Sequence, residues 1–397
     1  MTTAAPAGST VSRRGVLFTV ACLGMLAFGI VLTTLGAVLP SLVARFGIDK
    51  SAAGALFVLM SFGILVGSVV FGPIVDLRGY RGVLMLAAAL IALGLAGIAY
   101  APGLASLRIA IVLVGLGGGV INGATNALVA DVSAGERSAG LSLLGVFFGV
   151  GAVGVPFVLA LLLGRFSYSA LVAGVAAIVL VPLVIAAIAH FPAPKQAQGF
   201  PIAAAGRLLR DPVLLLMGLM LFLESGMEIT VGGWTATYFQ EEIGLTGQRA
   251  LVFLSLYWFG MMLVRLALGW LLRRASPARV MLACLAVAFV GALLLIGTGS
   301  VMAAGAGVFL LGCGFAATYP VVLGFVGDRY EQLSGTAFSV VIVMALVGGM
   351  LFPYAAGALG AAYGLRESFV MIPVALVLLA MLLFVVVRRH PAGSPAA

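Results

Sequence analysis

The sequence predicts an all-α integral membrane protein with twelve transmembrane helices in two pseudo-symmetric six-helix bundles. Three observations carry this. The chain is 63% hydrophobic and 8% charged over 397 residues, more apolar surface than a soluble domain hides, so lipid must be the solvent for much of it. The apolar residues fall into segments of about 20 or more, the length that crosses a bilayer as one helix. The longest connection falls mid-chain, between two sets of six such segments.

In chain order the spans are expected at 15–39, 51–75, 82–101, 105–130, 138–164, 168–190, 213–240, 248–272, 278–298, 301–326, 335–361 and 366–388. The first follows Arg13-Arg14 and is too long for the apolar core of a cleavable signal. The central connection, Phe191 to Pro212, holds four of the sixteen prolines together with Lys195, Arg207 and Arg210. The expected organisation is therefore an N-terminal bundle at 1–190, a linker at 191–212 and a C-terminal bundle at 213–397. The halves also look related. Glu136 and Gly140 open the fifth span, and Glu331 and Gly335 open the eleventh 195 residues later; Gly72 has its counterpart in Gly269, 197 residues on. Nearly equal offsets at equivalent helix ends indicate a duplicated six-helix unit.

Basic residues in the loops set the orientation. With the N-terminus cytoplasmic, fourteen Lys and Arg lie inside and six outside, while Arg265 lies within the eighth span. Both termini and the linker are expected on the cytoplasmic side of a cell (inner or plasma) membrane. The net charge of +9 is thus a topology signal and does not point to nucleic acid. Cys22, Cys284 and Cys313 lie in apolar segments and read as packing residues. There is no nucleotide-binding loop, zinc spacing or hydrolytic triad, and His190 and His390 stand at span ends. Neither an enzyme, a cofactor nor a metal site is expected.

Two acids stand out. Glu224 and Glu228 lie in LFLESGMEITVGGWTATYF, near the middle of the seventh span. A charge at that depth costs about 2.5–3.5 kcal/mol and usually faces a cavity or an ion path. On a helical wheel Glu224, Glu228, Val231, Thr235 and Tyr238 lie within about 80° of one another. Gly232-Gly233 is an expected bend. Glu228 is the first candidate for proton coupling and Glu224 the second, because desolvation favours a neutral carboxyl that can carry a proton. Arg265 is expected either to pair with an acid across the halves or to snorkel. Asn122 and Asn126, one turn apart on the fourth span beside Thr125, share a face. They suit sugar hydroxyls, or equally the hydrogen bonding that ties membrane helices together. Trp234 and Tyr238 either line a solute site or belong to the interfacial aromatic belt. Thr235 and Tyr319 complete the candidate solute-binding residues, and Pro320 is expected to kink the tenth span beside the cavity.

The second span ends FGPIVDLRGYRG, so that Gly72, Asp76, Gly79 and Arg81 follow G-x-x-x-D-x-x-G-x-R. This resembles the loop signature of the major facilitator superfamily between spans two and three. Leu77 and Tyr80 stand where the family often has basic residues, and the copy at Gly269 to Arg273-Arg274 lacks the acid. The resemblance implies two six-helix bundles that expose a central site to each side in turn, with the loop as a conformational latch. A narrower resemblance joins Asn122 to Pro156, Glu224 to Trp234 and Pro353 to Phe369 to the fucose-permease type of sugar–proton symporters. The fucose permease itself uses acids in the first and fourth spans; here Thr33, Thr34, Asn122 and Asn126 occupy those spans, which would move the coupling acid to Glu228 or Glu224. The implied function is secondary active uptake of a sugar or other small polar solute by alternating access, coupled to protons, with sodium the alternative ion. The fifth span, GVFFGVGAVGVP, resembles the glycine-proline signature of the superfamily's antiporters through Gly145, Gly149, Gly151, Gly154 and Pro156. This keeps open a proton antiporter exporting drugs or amphipathic metabolites; the same glycines also suit close helix packing. A non-transporting receptor or lipid-handling protein on this fold is the third class. The expected partners are the solute, a proton and the lipid bilayer, and the expected assembly is a monomer.

Overall fold

The computed structural model describes residues 8–132, 137–191, 208, 210–330 and 333–389. Glu136 and Glu331 of the repeated motif, His390 and most of the 191–212 linker lie outside the described residues. Fourteen helices form the described chain: α1 Gly8–Phe46, α2 Lys50–Arg78, α3 Tyr80–Tyr100, α4 Leu104–Val132, α5 Arg137–Leu162, α6 Tyr168–Ile188, α7 Pro212–Glu241, α8 Gly247–Arg274, α9 Pro277–Ile296, α10 Val301–Phe315, α11 Thr318–Arg329, α12 Ser334–Tyr363, α13 Leu365–Ser368 and α14 Met371–Arg389. Twelve stretches are long and apolar enough to cross a membrane. The tenth combines α10 with α11 and the twelfth α13 with α14. A helix satisfies its own backbone, which is why hydrocarbon selects it.

The ends follow local chemistry. Ser167 caps α6 by accepting from Ala170 N at 3.2 Å. Asp211 caps α7 by accepting from Val213 N at 2.8 Å, with Pro212 in the first turn, where its missing N–H costs nothing. Gly79, at φ +75°, makes the one-residue turn between α2 and α3, a conformation that glycine alone adopts without strain. Pro320 has no N–H to offer the Ala316 carbonyl four residues back. The expected kink in the tenth span is present as the interruption between α10 and α11. α7 is continuous from Pro212 to Glu241, through the Gly232-Gly233 pair.

Close contacts group the chain into two compact units. The first comprises Met1–Thr34, Phe62–Val155 and Arg165–Gln198; the second comprises Leu35–Ser61, Pro156–Gly164 and Gly199–Ala397. In the first, α3 packs on α4 and α6. There α1 crosses α5 where Gly29 meets the Phe148 carbonyl and Gly151 meets that of Leu26. Gly151 therefore serves close packing, while Gly145 and Gly154 face open space. Gly72 also faces open space. Arg81 of that motif donates to the Ala187 carbonyl at the end of α6, and Tyr80 donates to Asp131 Oδ2 at 2.6 Å. The Asp76 side chain is outside the described set.

In the second unit α7 packs most extensively on α12. A Cβ at Gly348 of α12 would lie 2.7 Å from the Phe222 carbonyl carbon. At the end where α7 starts, the Tyr330 hydroxyl donates to Asp211 Oδ2 at 2.7 Å. Burial alone would raise the Asp211 carboxyl. The Tyr330 hydroxyl, the amides of Val213 and Leu214 and the Arg329 charge outweigh it and hold the carboxyl below its ordinary value. Burial and the bond to Asp211 push the Tyr330 phenol up to about 12.

Gly348→Val forces α12 off the α7 backbone and costs about 1–3 kcal/mol of stability; Gly72→Ala, into open space, leaves the apparent melting temperature unchanged. Thermal unfolding of the detergent-solubilised variants checks both. Tyr330→Phe costs about 1 kcal/mol at about pH 7, the net worth of one hydrogen bond. Because the folded Asp211 value is depressed, its contribution is present above the ordinary carboxylate pKa of about 4 and lost as pH falls through the lowered value. The melting difference between wild type and Tyr330→Phe therefore shrinks in acid.

Candidate functional site

The second unit contains a charged cluster at mid-helix depth. Glu224 and Glu228 flank the midpoint of α7 and, one turn apart, share a face. The opposite side of that turn is taken by Gly226, where a Cβ would meet the Phe352 ring at 2.6 Å. The acids are thereby turned away from α12 and toward α8 and α11. Arg265 of α8 lies 3.6 Å from Glu228 Oε2, with the two side chains 28% and 13% exposed. Arg265 thus pairs with an acid of the adjacent helix in its own unit, and not across the halves as one expectation had it. Tyr257, about two turns earlier on α8, donates from its hydroxyl to the Glu228 backbone carbonyl at 3.2 Å. Tyr257 and Tyr319 both stand within electrostatic reach of Glu224, Glu228 and Arg265. Tyr319 lies in the first turn of α11, just after the interruption between α10 and α11, and irregular backbone at membrane depth characteristically accompanies polar sites.

Glu224 differs sharply from Glu228. It is fully buried, and with both acids ionised neither of its carboxyl oxygens has a hydrogen-bond partner among the described residues. The Glu228 carboxyl is its neighbour, and a bond between the two requires a proton on one of them. The Thr318 hydroxyl, at the start of α11, is buried and without a partner among the described residues.

The other predicted residues of α7 are engaged elsewhere. Thr235 donates its hydroxyl back to the Val231 carbonyl at 2.6 Å, so its helix consumes the donor that a solute would need. Trp234 is 0% exposed. Its indole N–H donates to the Pro353 carbonyl at 3.0 Å and its ring centroid lies 6.1 Å from that of Phe57. Around it α1 and α12 approach through glycines: a Cβ at Gly36 would lie 2.9 Å from Gly233 Cα, and one at Gly357 2.8 Å from the Trp234 ring. Gly232-Gly233 therefore serve close approach. Tyr238 is 0% exposed, donates to the Leu295 carbonyl at 2.8 Å and packs on Phe369 at 4.9 Å, which places it in the core and not in an aromatic belt. Lys50 and Glu241 form an ion pair at 2.9 Å near that end of α7.

In the first unit Asn126 Nδ2 donates to the Asn122 carbonyl at 2.8 Å and to Asn122 Oδ1 at 3.0 Å. The two half-buried amides are thus tied to each other. The pairing uses no hydrogen of Asn122 Nδ2, so the pair retains a donor. Thr125 is buried and donates to the Ile121 carbonyl at 2.8 Å. The signal for the Tyr257 contact was present in the sequence only as an aromatic residue on an apolar helix, which says nothing of its depth or partner.

Among the described residues, twelve stretches long and apolar enough to cross a membrane accompany an acid–arginine cluster at mid-helix depth, the features of a polytopic membrane protein. The model of the Major Facilitator Superfamily matches residues 21–351, and the chain belongs to that family. An uncharacterized transporter of Sinorhizobium fredii is 25% identical over 366 residues, covering 90% of this chain and 95% of its own. An uncharacterized transporter of Yersinia pestis is 24% identical over 357 residues, 89% of each chain. Among solved structures, a mutant of the nucleoside transporter NupG aligns with a TM-score of 0.80 at 15% identity, covering 94% of this chain and 99% of that one. The D-xylose-proton symporter aligns at 0.78 and 16%, covering 94% and 97%. At those identities the likeness shows the fold. These relatives and neighbours are transporters, not enzymes.

Removing the Trp234 ring opens a cavity and removes the indole hydrogen bond to the Pro353 carbonyl. Trp234→Ala is expected to cost about 3–5 kcal/mol, and Trp234→Phe about 1 kcal/mol for the lost hydrogen bond. Thermal unfolding ranks the two.

Proposed function

We propose that the protein is a proton-coupled secondary transporter that takes up a sugar or other small polar solute by alternating access. The observation that carries this is the Glu224–Glu228–Arg265 cluster: two carboxylates and one guanidinium at mid-helix depth, where charge is costly and is retained for function. One base cannot balance two ionised acids, so the cluster has room for one transferable proton. Asn122 and Asn126 supply amide groups of the kind that bind solute hydroxyls, and Tyr319 adds a phenol beside the acids. The structural neighbours named for a nucleoside and for D-xylose with a proton agree with a hydroxylated solute. The loop from Gly72 to Arg81 acts as the conformational latch. The fourteen-to-six partition of basic residues supports both termini and the linker in the cytoplasm of a cell-membrane protein that works as a monomer, built from two six-helix halves.

The test is uptake into proteoliposomes of the full chain, with a panel of labelled monosaccharides and nucleosides and an imposed inward proton gradient. The expected result is uphill accumulation that a protonophore abolishes. The variant Glu224→Gln/Glu228→Gln loses accumulation but keeps solute exchange, and Asn122→Ala raises KM at least several-fold. Accumulation driven only by an outward proton gradient would turn the reading to antiport. Accumulation that follows a sodium gradient and ignores protons would remove the proton.

A further inference from the structure

The two acids of α7 are not equivalent, and their difference assigns them separate tasks within the reading just given, on which this inference rests. Glu228 has a counter-charge, Arg265 at 3.6 Å, and some exposure. Glu224 is fully buried and, when both acids are ionised, has no hydrogen-bond partner for either oxygen among the described residues. An ionised carboxylate in that position would bear the whole desolvation cost with no compensating bond, and buried groups of this kind are found neutralised. We propose that the resident proton of the cluster sits on Glu224, while Glu228 and Arg265 form a charge-balanced pair beside it that gives the proton its way in and out.

The surroundings support this division. The titratable groups nearest Glu224 are Glu228 on its own helix, Tyr257 and Arg265 of α8, and Tyr319 of α11. A proton on Glu224 can donate to the neighbouring Glu228 carboxylate, which Arg265 keeps charged. From α12 the groups turned to α7 are Phe352, Met344 and the glycines 348 and 349, none of which titrates. Asp211 and Arg329 lie at the start of α7, and Lys50, Glu241, Glu242, Arg366 and Glu367 at its far end. Arg265 is therefore the one guanidinium beside the acids among the described residues, and Glu228 already occupies it. When Glu224 gives its proton to Glu228 and Glu228 passes it to water, Arg265 must be shared by two carboxylates. That redistribution links the proton to the position of α8 against α7. The step moves one proton and breaks no other covalent bond.

The proton on Glu224 has a spectroscopic signature that a structural role would not move: the carbonyl stretch of a protonated carboxylic acid, identified by its shift in heavy water. It is read by infrared difference spectroscopy of the full-length protein in detergent at about pH 7, where an ordinary carboxylate is ionised. The expected result is a band in the wild type that is lost in Glu224→Gln and retained in Glu228→Gln/Arg265→Met, where the pair is removed as a unit. Glu→Gln is isosteric and Met keeps the unbranched apolar stem of Arg, and monodispersity on size exclusion confirms folding. If Glu224→Gln fails that control, Glu224→Asp replaces it, and the band is then expected to change frequency. Absence of the band from the wild type overturns the proposal. So does its survival in Glu224→Gln, or its loss in the double variant, which would put the proton on Glu228 or share it between the acids. Failure of the transport reading is separately visible: an intact Glu224 band in a protein whose proteoliposomes ignore every proton gradient.

Discussion

The absence of water from the bilayer interior is the constraint on which the rest of this structure depends. Lipid tails are as apolar as leucine, so burying one helix against another gains little hydrophobic energy. What remains is close packing and polar pairing. The chain meets the first need by letting helices touch backbone to backbone, Gly29 and Gly151 between α1 and α5, Gly348 on Phe222 between α12 and α7. It meets the second by returning hydroxyls to carbonyls one turn back, as Thr33, Thr34, Thr125, Thr230 and Thr235 all do. Each such bond removes a donor from the inventory available to a solute.

Against that background the exceptions stand out. Glu228 is paired with a counter-charge, Glu224 is not, and the Thr318 hydroxyl beside the interruption in the tenth span has no partner among the described residues. Pro320 favours that interruption by withholding the N–H that the Ala316 carbonyl would otherwise accept. A membrane protein that leaves such groups unsatisfied loses stability, and charge at that depth is characteristically retained for function.

The same physics separates residues that looked alike. Trp234, Thr235 and Tyr238 share a helix with the acids, yet all three commit their polar atoms to backbone carbonyls. Trp234 is held between Phe57 of α2 and Gly357 of α12, and Tyr238 among the rings of Phe239 and Phe369. Tyr257, an ordinary aromatic on its apolar helix, meets Glu228. Distance along the chain does not order these roles; the neighbouring helix does.

The sequence by itself determined the spans, the kink at Pro320, the turn at Gly79 and the two costly acids. Each is a local property: hydropathy over about 20 residues, a missing N–H, a positive φ, a charge at membrane depth. Only the tertiary structure decided which acid is paired, which glycines touch a neighbour and which aromatic hydroxyl or indole is already used. Gly72 sits in a recognisable motif and meets nothing, whereas Gly36, in no motif, lies against Gly233. The partner of Trp234 is 119 residues away and that of Tyr238 57 residues away. The periodicity of one helix states which residues share a face; what that face meets is set by the helix packed against it, and no single segment contains that information.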